Sequence, residues 1–285
     1  MAFAIVAHTL TGTNAALAGA WRTSPSFGVV PPWEALHALE AGDVALGRLD
    51  VRRTLDGPEP GLEVLRQLEW RGVRVLNGAQ ALLAGHDKLL TAHLLDGSGV
   101  AHPATAPFSG EWSALLERLP CVVKPRFGSW GDDVYRLERV EDVFALADAA
   151  HGRSWLETGG AIVQELVPPL GYDLRVIVAN GEIVGAVRRH AAPGEWRTNV
   201  ACGARRVRAL HAPRALALAR AAVAATGLDL AGVDLLPAGR GYVVLEVNAA
   251  VDFTAEYDLD EDVFERAATA LAGAAEVRPL VAGAA

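Results

Sequence analysis

The apolar positions in the first third of the chain recur with two periods, which predict alternating strands and helices. Short, nearly continuous apolar runs are typical of buried strands, whereas apolar residues three and four apart indicate one face of a helix. The predicted strands span residues 2–8, 26–32, 43–49 and 72–78, and the predicted helices span residues 14–21, 32–42 and 61–72. Because strands that alternate with helices form parallel sheets, we expect a small α/β domain over residues 1–85.

The middle of the chain predicts helices first and strands afterwards. Residues 79–105 have the pattern of a helix pair with a turn at Gly97 and Gly99. A short β-branched strand then ends beside Lys124, because Pro125 cannot donate a hydrogen bond to a sheet. The remaining elements are a strand that ends at residue 137, a helix over residues 141–152 and a strand over residues 161–169.

Two antiparallel hairpins dominate the last third. The dipeptide Asn180–Gly181 between alternating apolar runs is a strong hairpin signal. The predicted elements are a hairpin over residues 172–191, a helix over 212–228, a second hairpin over 230–248 and a helix over 260–277. Asp260 is the expected N-cap of the last helix.

Length and composition restrict the class of protein. The chain has 285 residues, a 51% hydrophobic content and a formal net charge of -8, which favour two or three lobes and argue against general nucleic-acid binding. No apolar run reaches the roughly 18 residues that cross a bilayer. Two distant cysteines without a disulfide framework are typical of a reducing compartment. We therefore expect a cytoplasmic enzyme with no membrane or nucleic-acid partner.

The rarity of lysine draws attention to one strand end. Lys88 and Lys124 are the only lysines among 26 basic residues, so each is expected where a compact ammonium is needed. Lys124 ends a strand, and Gly128 and Gly131 follow in a loop that can approach a ligand closely. A cation beside loop amides is suited to phosphate. The alternative is a hairpin whose lysine is solvated.

The second hairpin predicts a metal site. Alternation over residues 243–248 places Val244, Glu246 and Asn248 on one face, and a turn near Arg240 would set Asp234 opposite Glu246. Two carboxylates and an amide oxygen are hard donors, which favour Mg²⁺ over zinc. The alternatives are a solvated face or arginine ion pairs.

Taken together and in this order, the motifs resemble those of the ATP-grasp ligases. The motifs are Lys124–Pro125, the GSWG loop at 128–131, residues 164–167, Asp173–Arg175, Arg197–Asn199, Asp234 and residues 246–248. The chain is similar to the RimK-type branch, which joins a carboxylate to an amine, often glutamate, and its GSWG loop is similar to that of LysX-type ligases. The resemblance implies an α/β (α+β) ATP-grasp fold with an N-terminal parallel-sheet domain at 1–85, a central lobe at 86–160 and a C-terminal lobe at 161–285.

The same resemblance implies roles for individual residues. The implied ATP-binding residues are Lys88, Lys124, the lid residues Gly128, Ser129, Trp130 and Gly131, the hinge residues Gln164, Glu165, Leu166 and Val167, and Asp173 near the ribose. The implied ligands of two Mg²⁺ ions, with Mn²⁺ as an alternative, are Asp234, Glu246 and Asn248. The implied catalytic residues, which would hold the γ-phosphate and an acyl phosphate, are Arg188, Arg197 and Asn199.

The function implied is ATP-dependent amide formation through an acyl phosphate. The expected partners are a small carboxylate and an amino acid, with a small carrier protein as a LysX-like alternative and a homo-oligomer left open. Arg188, Arg189 and Arg197 lie within ten residues of one another, so we expect the amine to be acidic, most simply glutamate. The alternative is that these arginines serve only the triphosphate or pair with Asp252 and Glu256. Arg188 and Arg189 point to opposite faces of a strand, so only one can face the phosphates. Asp132–Asp133, where a glycine or a basic residue is usual, leaves open a catalytically weak nucleotide-binding regulator.

Overall fold

The computed structural model describes residues 1–22, 25–52, 57–209 and 212–277. The first domain contains β1 (Phe3–Val6), α1 (Gly12–Ala20), β2 (Ser26–Val30), α2 (Pro32–Ala38), β3 (Val44–Gly47), the short pair β4 (Val51–Arg52) and β5 (Gly57–Pro58), α3 (Leu62–Trp70) and β6 (Arg74–Leu76). Its sheet has the order β2-β1-β3-β6, and each neighbouring pair is parallel. The predicted α/β domain with a parallel sheet is confirmed.

The helix pair breaks earlier than the sequence pattern predicts. Its helices are α4 (Ala79–His86) and α5 (Lys88–Gly97), so the break lies at Asp87 and not at Gly97 and Gly99, which end α5. The Asp87 carboxylate explains the new start, because it accepts hydrogen bonds from the backbone N–H groups of Leu89 and Leu90. An N-cap of this kind satisfies N–H groups that have no partner within the helix.

The second sheet includes a strand that the lobe boundaries predicted from the sequence assign to the C-terminal lobe. Its elements are β7 (Thr105–Phe108), α6 (Ser113–Leu116), β8 (Cys121–Pro125), β9 (Tyr135–Leu137), α7 (Val140–Ala149) and β10 (Ala161–Glu165), in the strand order β7-β10-β8-β9. Because β10 pairs with both β7 and β8, the second sheet ends after Glu165 and not at residue 160. The sequence pattern also missed β7.

The third sheet contains both hairpins. Its elements are β11 (Tyr172–Ala179), β12 (Glu182–His190), β13 (Arg205–Arg208), α8 (Pro213–Thr226), β14 (Leu230–Ala238), β15 (Gly241–Asn248) and the terminal α9 (Val263–Val277). The strand order is β13-β12-β11-β14-β15, and all neighbouring pairs are antiparallel. Asp262 rather than Asp260 precedes α9, and its carboxylate accepts from the N–H groups of Phe264 and Glu265.

The third sheet is packed on both faces, which fixes where its polar residues can lie. Val176 and Val233 pack on the side of α8, in the same apolar cluster as Ala219. On the other face, Ile177 packs in the cluster that contains Leu271 of α9. The polar residues of the second face are therefore confined to the ends of the strands that α9 does not cover.

One buried asparagine joins the first domain to the third sheet. Asn77 is fully buried directly after β6, and its Nδ2 donates to the carbonyl of Leu230 at 2.8 Å. Its Oδ1 accepts from the N–H groups of Asp229 and Leu230 at 2.7 and 3.0 Å. Asn77 also has a positive φ of 47°, which asparagine tolerates better than most residues. These bonds hold the start of β14, and so the strands beyond it, against the first domain.

We expect Asn77→Ala to lower the free energy of unfolding by about 2–3 kcal/mol, because it leaves buried backbone groups without partners. Urea denaturation measures the change. Asn180→Ala is a matched control, since Asn180 has the same φ of 47° but lies exposed in the β11–β12 turn. Equal losses in the two variants would show that backbone conformation, and not the buried hydrogen bonds, accounts for the effect.

Candidate active site

A cleft lies between the second and third sheets. Most residues that the sequence predicted for function line it. They are Lys88, Lys124, Gly128, Ser129, Gly131, Gln164, Glu165, Leu166, Val167, Asp173, Arg197, Asn199, Asp234 and Glu246. Trp130 and Asn248 instead line an adjoining cavity, and Arg188 lines neither. We call these two spaces the first and the second cavity.

Lys124 is buried at the end of β8 and points into the first cavity. Only 6% of its surface is exposed, and its Nζ donates to Oε1 of Gln164 at 2.9 Å. Burial, reinforced by the charge of Lys88, lowers the pKa of Lys124 to about 8 against the opposing effect of Glu246 and Asp234. The burial excludes the alternative of a solvated hairpin lysine and leaves a cation that is costly without an anionic partner.

Lys88 connects the glycine loop to the second hairpin. Its Nζ donates to the carbonyl of Gly128 at 2.5 Å and lies 3.0 Å from Oε1 of Glu246. The break at Asp87 makes Lys88 the first residue of α5 and so places it at the cleft. The two lysines of the chain therefore both line the first cavity, as their rarity suggested.

Asp234 lies in a buried network of four charged residues. Its oxygens accept from Nε and Nη2 of Arg175, both at 2.6 Å, and Nη2 of Arg189 lies 3.0 Å from Oδ2. Arg189 also forms a bidentate pair with Asp173, which accepts a further hydrogen bond from Thr198 at 2.6 Å. Although burial alone would raise the pKa of Asp234, the two arginines lower it to about 2.

Glu246 stands directly opposite Asp234, as the sequence predicts, but the alternation around it differs. The register shifts between Asp234 and Leu235, which pairs with Val244, so Leu245 is the extra residue of a β-bulge. Val244 is consequently buried in the apolar cluster on the α8 side, away from Glu246. The prediction that Val244 shares the face of Glu246 was wrong.

The donor set suits a hard cation. Asp234 and Glu246 lie side by side on neighbouring strands, and Asn248 follows on the same face, where its Nδ2 donates to the Gly232 carbonyl at 3.4 Å. Such oxygen donors match magnesium. Asp234 also forms arginine ion pairs, which the sequence had left open as the alternative to a metal site. A cation there would share its carboxylates with Arg175, Arg189 and Lys88.

The arginine that faces the first cavity is Arg189, not Arg188. Arg189 is the strand partner of Asp173 and lines both cavities. Arg188 lies on the opposite face of β12, where its guanidinium stands 4.7 Å from the centre of the Tyr172 ring. Alternation along a strand forces this separation, but it does not tell which of the two faces a site. The expected placement of Arg188 is therefore corrected.

The glycine loop is held by Arg197 and Asn199. Nη1 of Arg197 donates to the carbonyl of Gly131 at 2.9 Å, while Glu195 pairs with the rest of the guanidinium. Gly131 has a φ of 80°, and a Cβ there would lie 2.9 Å from Oδ1 of Asn199. Both constraints require glycine. Trp130, next to it, has a φ of 65° and is half exposed at the second cavity.

Comparison with known proteins places this cleft in a family. The RimK-like ATP-grasp domain model matches residues 85–267. A protein of Serratia proteamaculans named probable alpha-L-glutamate ligase is 34% identical over 220 residues, which are 74% of this chain and 70% of that protein. A protein of Aeromonas salmonicida with the same name is 33% identical over 219 residues, again 74% and 70% of the two chains.

A solved structure with 20% identity has the same fold. It is a RimK domain ATP-grasp protein of Sphaerobacter thermophilus, with a TM-score of 0.68 over 94% of this chain and 98% of that chain. The fold predicted from the sequence motifs is confirmed. Within the described residues, the helices are too short or too polar to span a membrane. The chain belongs to the RimK-like ATP-grasp family and is an ATP-dependent ligase that joins a carboxylate to an amine.

Proposed function

We propose that this ligase adds an acidic amino acid, most simply glutamate, to a carboxylate acceptor. The observation that carries the proposal is the meeting of Lys88 and Lys124 with the Asp234–Glu246 pair in one cleft, which combines phosphate-binding cations with cation-binding oxygens. The relatives named probable alpha-L-glutamate ligase support glutamate as the amine. The acceptor is a small carboxylate, with a carrier protein as the alternative.

The first cavity provides groups for each part of ATP. Lys124 and Lys88 would bind phosphate oxygens, and residues 164–167 would line the adenine. Ser129 supports this placement, because its Oγ is buried in the glycine loop without a hydrogen-bond partner among the described residues. Asp173, proposed from the sequence to lie beside the ribose, is engaged by Arg189 and Thr198, and we propose that it positions Arg189.

The metal site would be formed by Asp234, Glu246 and Asn248. The low pKa of Asp234 keeps its carboxylate ionised, as a ligand of a cation must be. Two Mg²⁺ ions, or Mn²⁺ in their place, would neutralise phosphate charge when bound. ATP-grasp ligase PsnB, a structural neighbour, is known in complex with Mg and ADP.

The proposed reaction has two displacements. An oxygen of the acceptor carboxylate attacks the γ-phosphorus, and the bond to the bridging oxygen breaks, which gives an acyl phosphate and ADP. The amine nitrogen then attacks the acyl carbon, phosphate leaves with the bonding electron pair, and the nitrogen loses a proton. Arg189, Arg197 and Asn199 line the cavity where negative charge on the transferred group needs stabilising.

The two aspartates after the glycine loop do not form a common acidic patch. The Asp133 carboxylate accepts from the Tyr135 hydroxyl at 2.9 Å and lies 3.8 Å from Nη1 of Arg153, while Asp132 lines the first cavity. The engagement of Asp133 favours the active ligase over the nucleotide-binding regulator.

The two free thiols are consistent with the reducing cytoplasm expected from the sequence.

Glutamate should stimulate turnover more than neutral or basic amino acids. The measurement is ADP and phosphate release by the purified protein with MgATP and a pool of small carboxylates, with each common amino acid added in turn. Stimulation by lysine or alanine, with none by glutamate or aspartate, would contradict the proposed amine. Activity without any added amine would point to a different reaction.

Glu246→Ala should abolish ADP formation while the fold is retained. Glu246 is a partly exposed residue that contributes a cation-binding oxygen rather than core packing. ADP assays as a function of Mg²⁺, together with circular dichroism, measure the two effects. Glu265→Ala is the control, because Glu265 is an exposed glutamate on α9. Full activity of the Glu246 variant would remove this residue from the metal site.

Lys124→Met should weaken ATP binding by about 1.5–3 kcal/mol, the range of charge-assisted hydrogen bonds. Because the pKa of Lys124 is lowered to about 8, the lysine loses its proton as pH rises through that value. The ATP affinity of the unaltered protein should therefore fall above pH 8. Titration calorimetry at pH 7 and pH 9 should show this fall, and the Met variant should lack it.

Arg220→Met is the control for charge, since Arg220 lies exposed on α8. It should keep both the affinity and the pH dependence of the unaltered protein. An unchanged affinity for ATP in Lys124→Met would mean that the buried lysine forms its hydrogen bond to Gln164 but does not bind ATP.

A further inference from the structure

The second cavity adjoins the first and is formed where the first domain meets the third sheet. It shares Lys88, Arg189 and Glu246 with the first cavity. Asp50 and His86 line it from the side of the first domain. A molecule in this space would lie next to the groups assigned above to phosphate and metal, so it is well placed for the amine substrate.

Among the described residues, three arginines line the second cavity, and two of them are paired with buried aspartates. Arg175 is paired with Asp234, and Arg189 is paired with both Asp173 and Asp234. Burial opposes the charge of Arg189, but the two aspartates raise its pKa above the ordinary value. Neither guanidinium is therefore free to recognise a new carboxylate without breaking a buried pair.

Arg206 is the third arginine and differs from the other two. It lies on the edge strand β13 as the strand partner of Arg189. Its Nη1 donates to Oε2 of Glu256 at 2.5 Å, but its Nε is buried and has no hydrogen-bond partner in the described part of the chain. The guanidinium also stands 5.7 Å from the centre of the buried Tyr257 ring, which restricts its orientation.

Carboxylates also line the second cavity. The Asp50 carboxylate accepts the N–H of Val51 at 2.7 Å. Asp252, also in the lining, accepts from the Thr11 hydroxyl at 3.1 Å and lies 3.5 Å from Nη2 of the buried Arg48. The described lining of this cavity thus includes the Arg206 guanidinium as well as the carboxylates of Asp50 and Asp252. This distribution complements a molecule that has both a carboxylate and an ammonium group.

We infer that the second cavity binds the amino acid substrate and that Arg206 recognises one of its carboxylates, with Asp50 facing its ammonium group. The inference rests on the proposed function, which requires an amine next to the phosphate site. Arg206, rather than Arg188 or Arg189, then accounts for selectivity toward an acidic amino acid. A planar guanidinium that lines the cavity and is paired with the exposed Glu256 suits a carboxylate better than an amide or an alkyl group.

The test is binding of L-glutamate and L-glutamine to the full chain in the presence of Mg²⁺ and a non-hydrolysable ATP analogue, measured by titration calorimetry. The unaltered protein should bind glutamate more tightly than glutamine. Arg206→Ala should weaken glutamate binding at least tenfold and lose the preference over glutamine. Arg206→Lys should fall between the two, because it keeps the charge without the planar fork.

Two variants separate recognition from structural effects. Arg205→Ala removes the neighbouring arginine, which is exposed on the other face of β13, and should leave glutamate binding unchanged. Glu256→Gln breaks the same ion pair as Arg206→Ala but keeps the guanidinium, so it should retain the preference for glutamate. Melting temperatures and affinity for the ATP analogue should stay close to those of the unaltered protein in all variants.

Retention of the glutamate preference in Arg206→Ala would overturn the inference, as would an equal loss in Glu256→Gln. Failure of the unaltered protein to bind glutamate would also overturn it. The proposed function is tested separately by amine-dependent ADP release. If the unaltered protein releases ADP with glutamate and Arg206→Ala has no effect on glutamate binding, the proposed function stands and only the assignment of this cavity is wrong.

Discussion

The buried network of two arginines and two aspartates is the interaction on which the active cleft depends. Arg175, Arg189, Asp173 and Asp234 come from three adjacent strands and lie at their cleft-facing ends. Each guanidinium makes bidentate contact with a carboxylate, so the charges cancel where water is excluded. Removing one partner from such a buried pair typically costs about 3–5 kcal/mol, because an unpaired charge is left behind. The network therefore adds to the apolar packing in fixing the register of β11, β12 and β14.

That register determines what the cleft can do. A shift of one residue would turn Asp234 toward α8 and bring apolar residues into the cleft. With the register in place, the charges of Arg175 and Arg189 are balanced by aspartates, and Lys88 and Lys124 line the same cavity as the glycine loop. The bulge at Leu245 then restores Val247 to the apolar cluster while Glu246 stays opposite Asp234. The cleft combines phosphate-binding cations with cation-binding oxygens because these strands cannot slide.

The sequence predicted the local features of this arrangement and missed those that depend on distant parts of the chain. The two hairpins and the opposition of Asp234 and Glu246 follow from alternation and turn residues, which are local. Alternation could show that Arg188 and Arg189 face apart, but the choice between them depends on where α8 packs. Arg206 gave no signal, since β13 is a short edge strand whose partner lies across a long loop. Asn77 likewise lies within a strand predicted from the sequence, and its role is visible only once β14 lies beside it.

The helix boundaries show the same limit. Glycines mark the ends of helices, so Gly97 and Gly99 predict the turn of the helix pair, whereas a single carboxylate at Asp87 starts a new helix without any glycine. That carboxylate also accepts hydrogen bonds from Arg126 beyond β8, so the start of α5 is fixed by the second sheet as well. Lys88 reaches the cleft as a consequence. Capping by a residue with long-range partners cannot be recognised from spacing alone.

The central claim is that this cleft transfers the γ-phosphoryl group of ATP to a carboxylate before the amine attacks. It is tested most directly by supplying the carboxylate acceptor labelled with heavy oxygen, together with MgATP and L-glutamate, and analysing the released nucleotide and phosphate by mass spectrometry. Transfer in this order gives ADP without label and phosphate that carries one oxygen atom from the acceptor. Label in AMP, or phosphate without label, would contradict it.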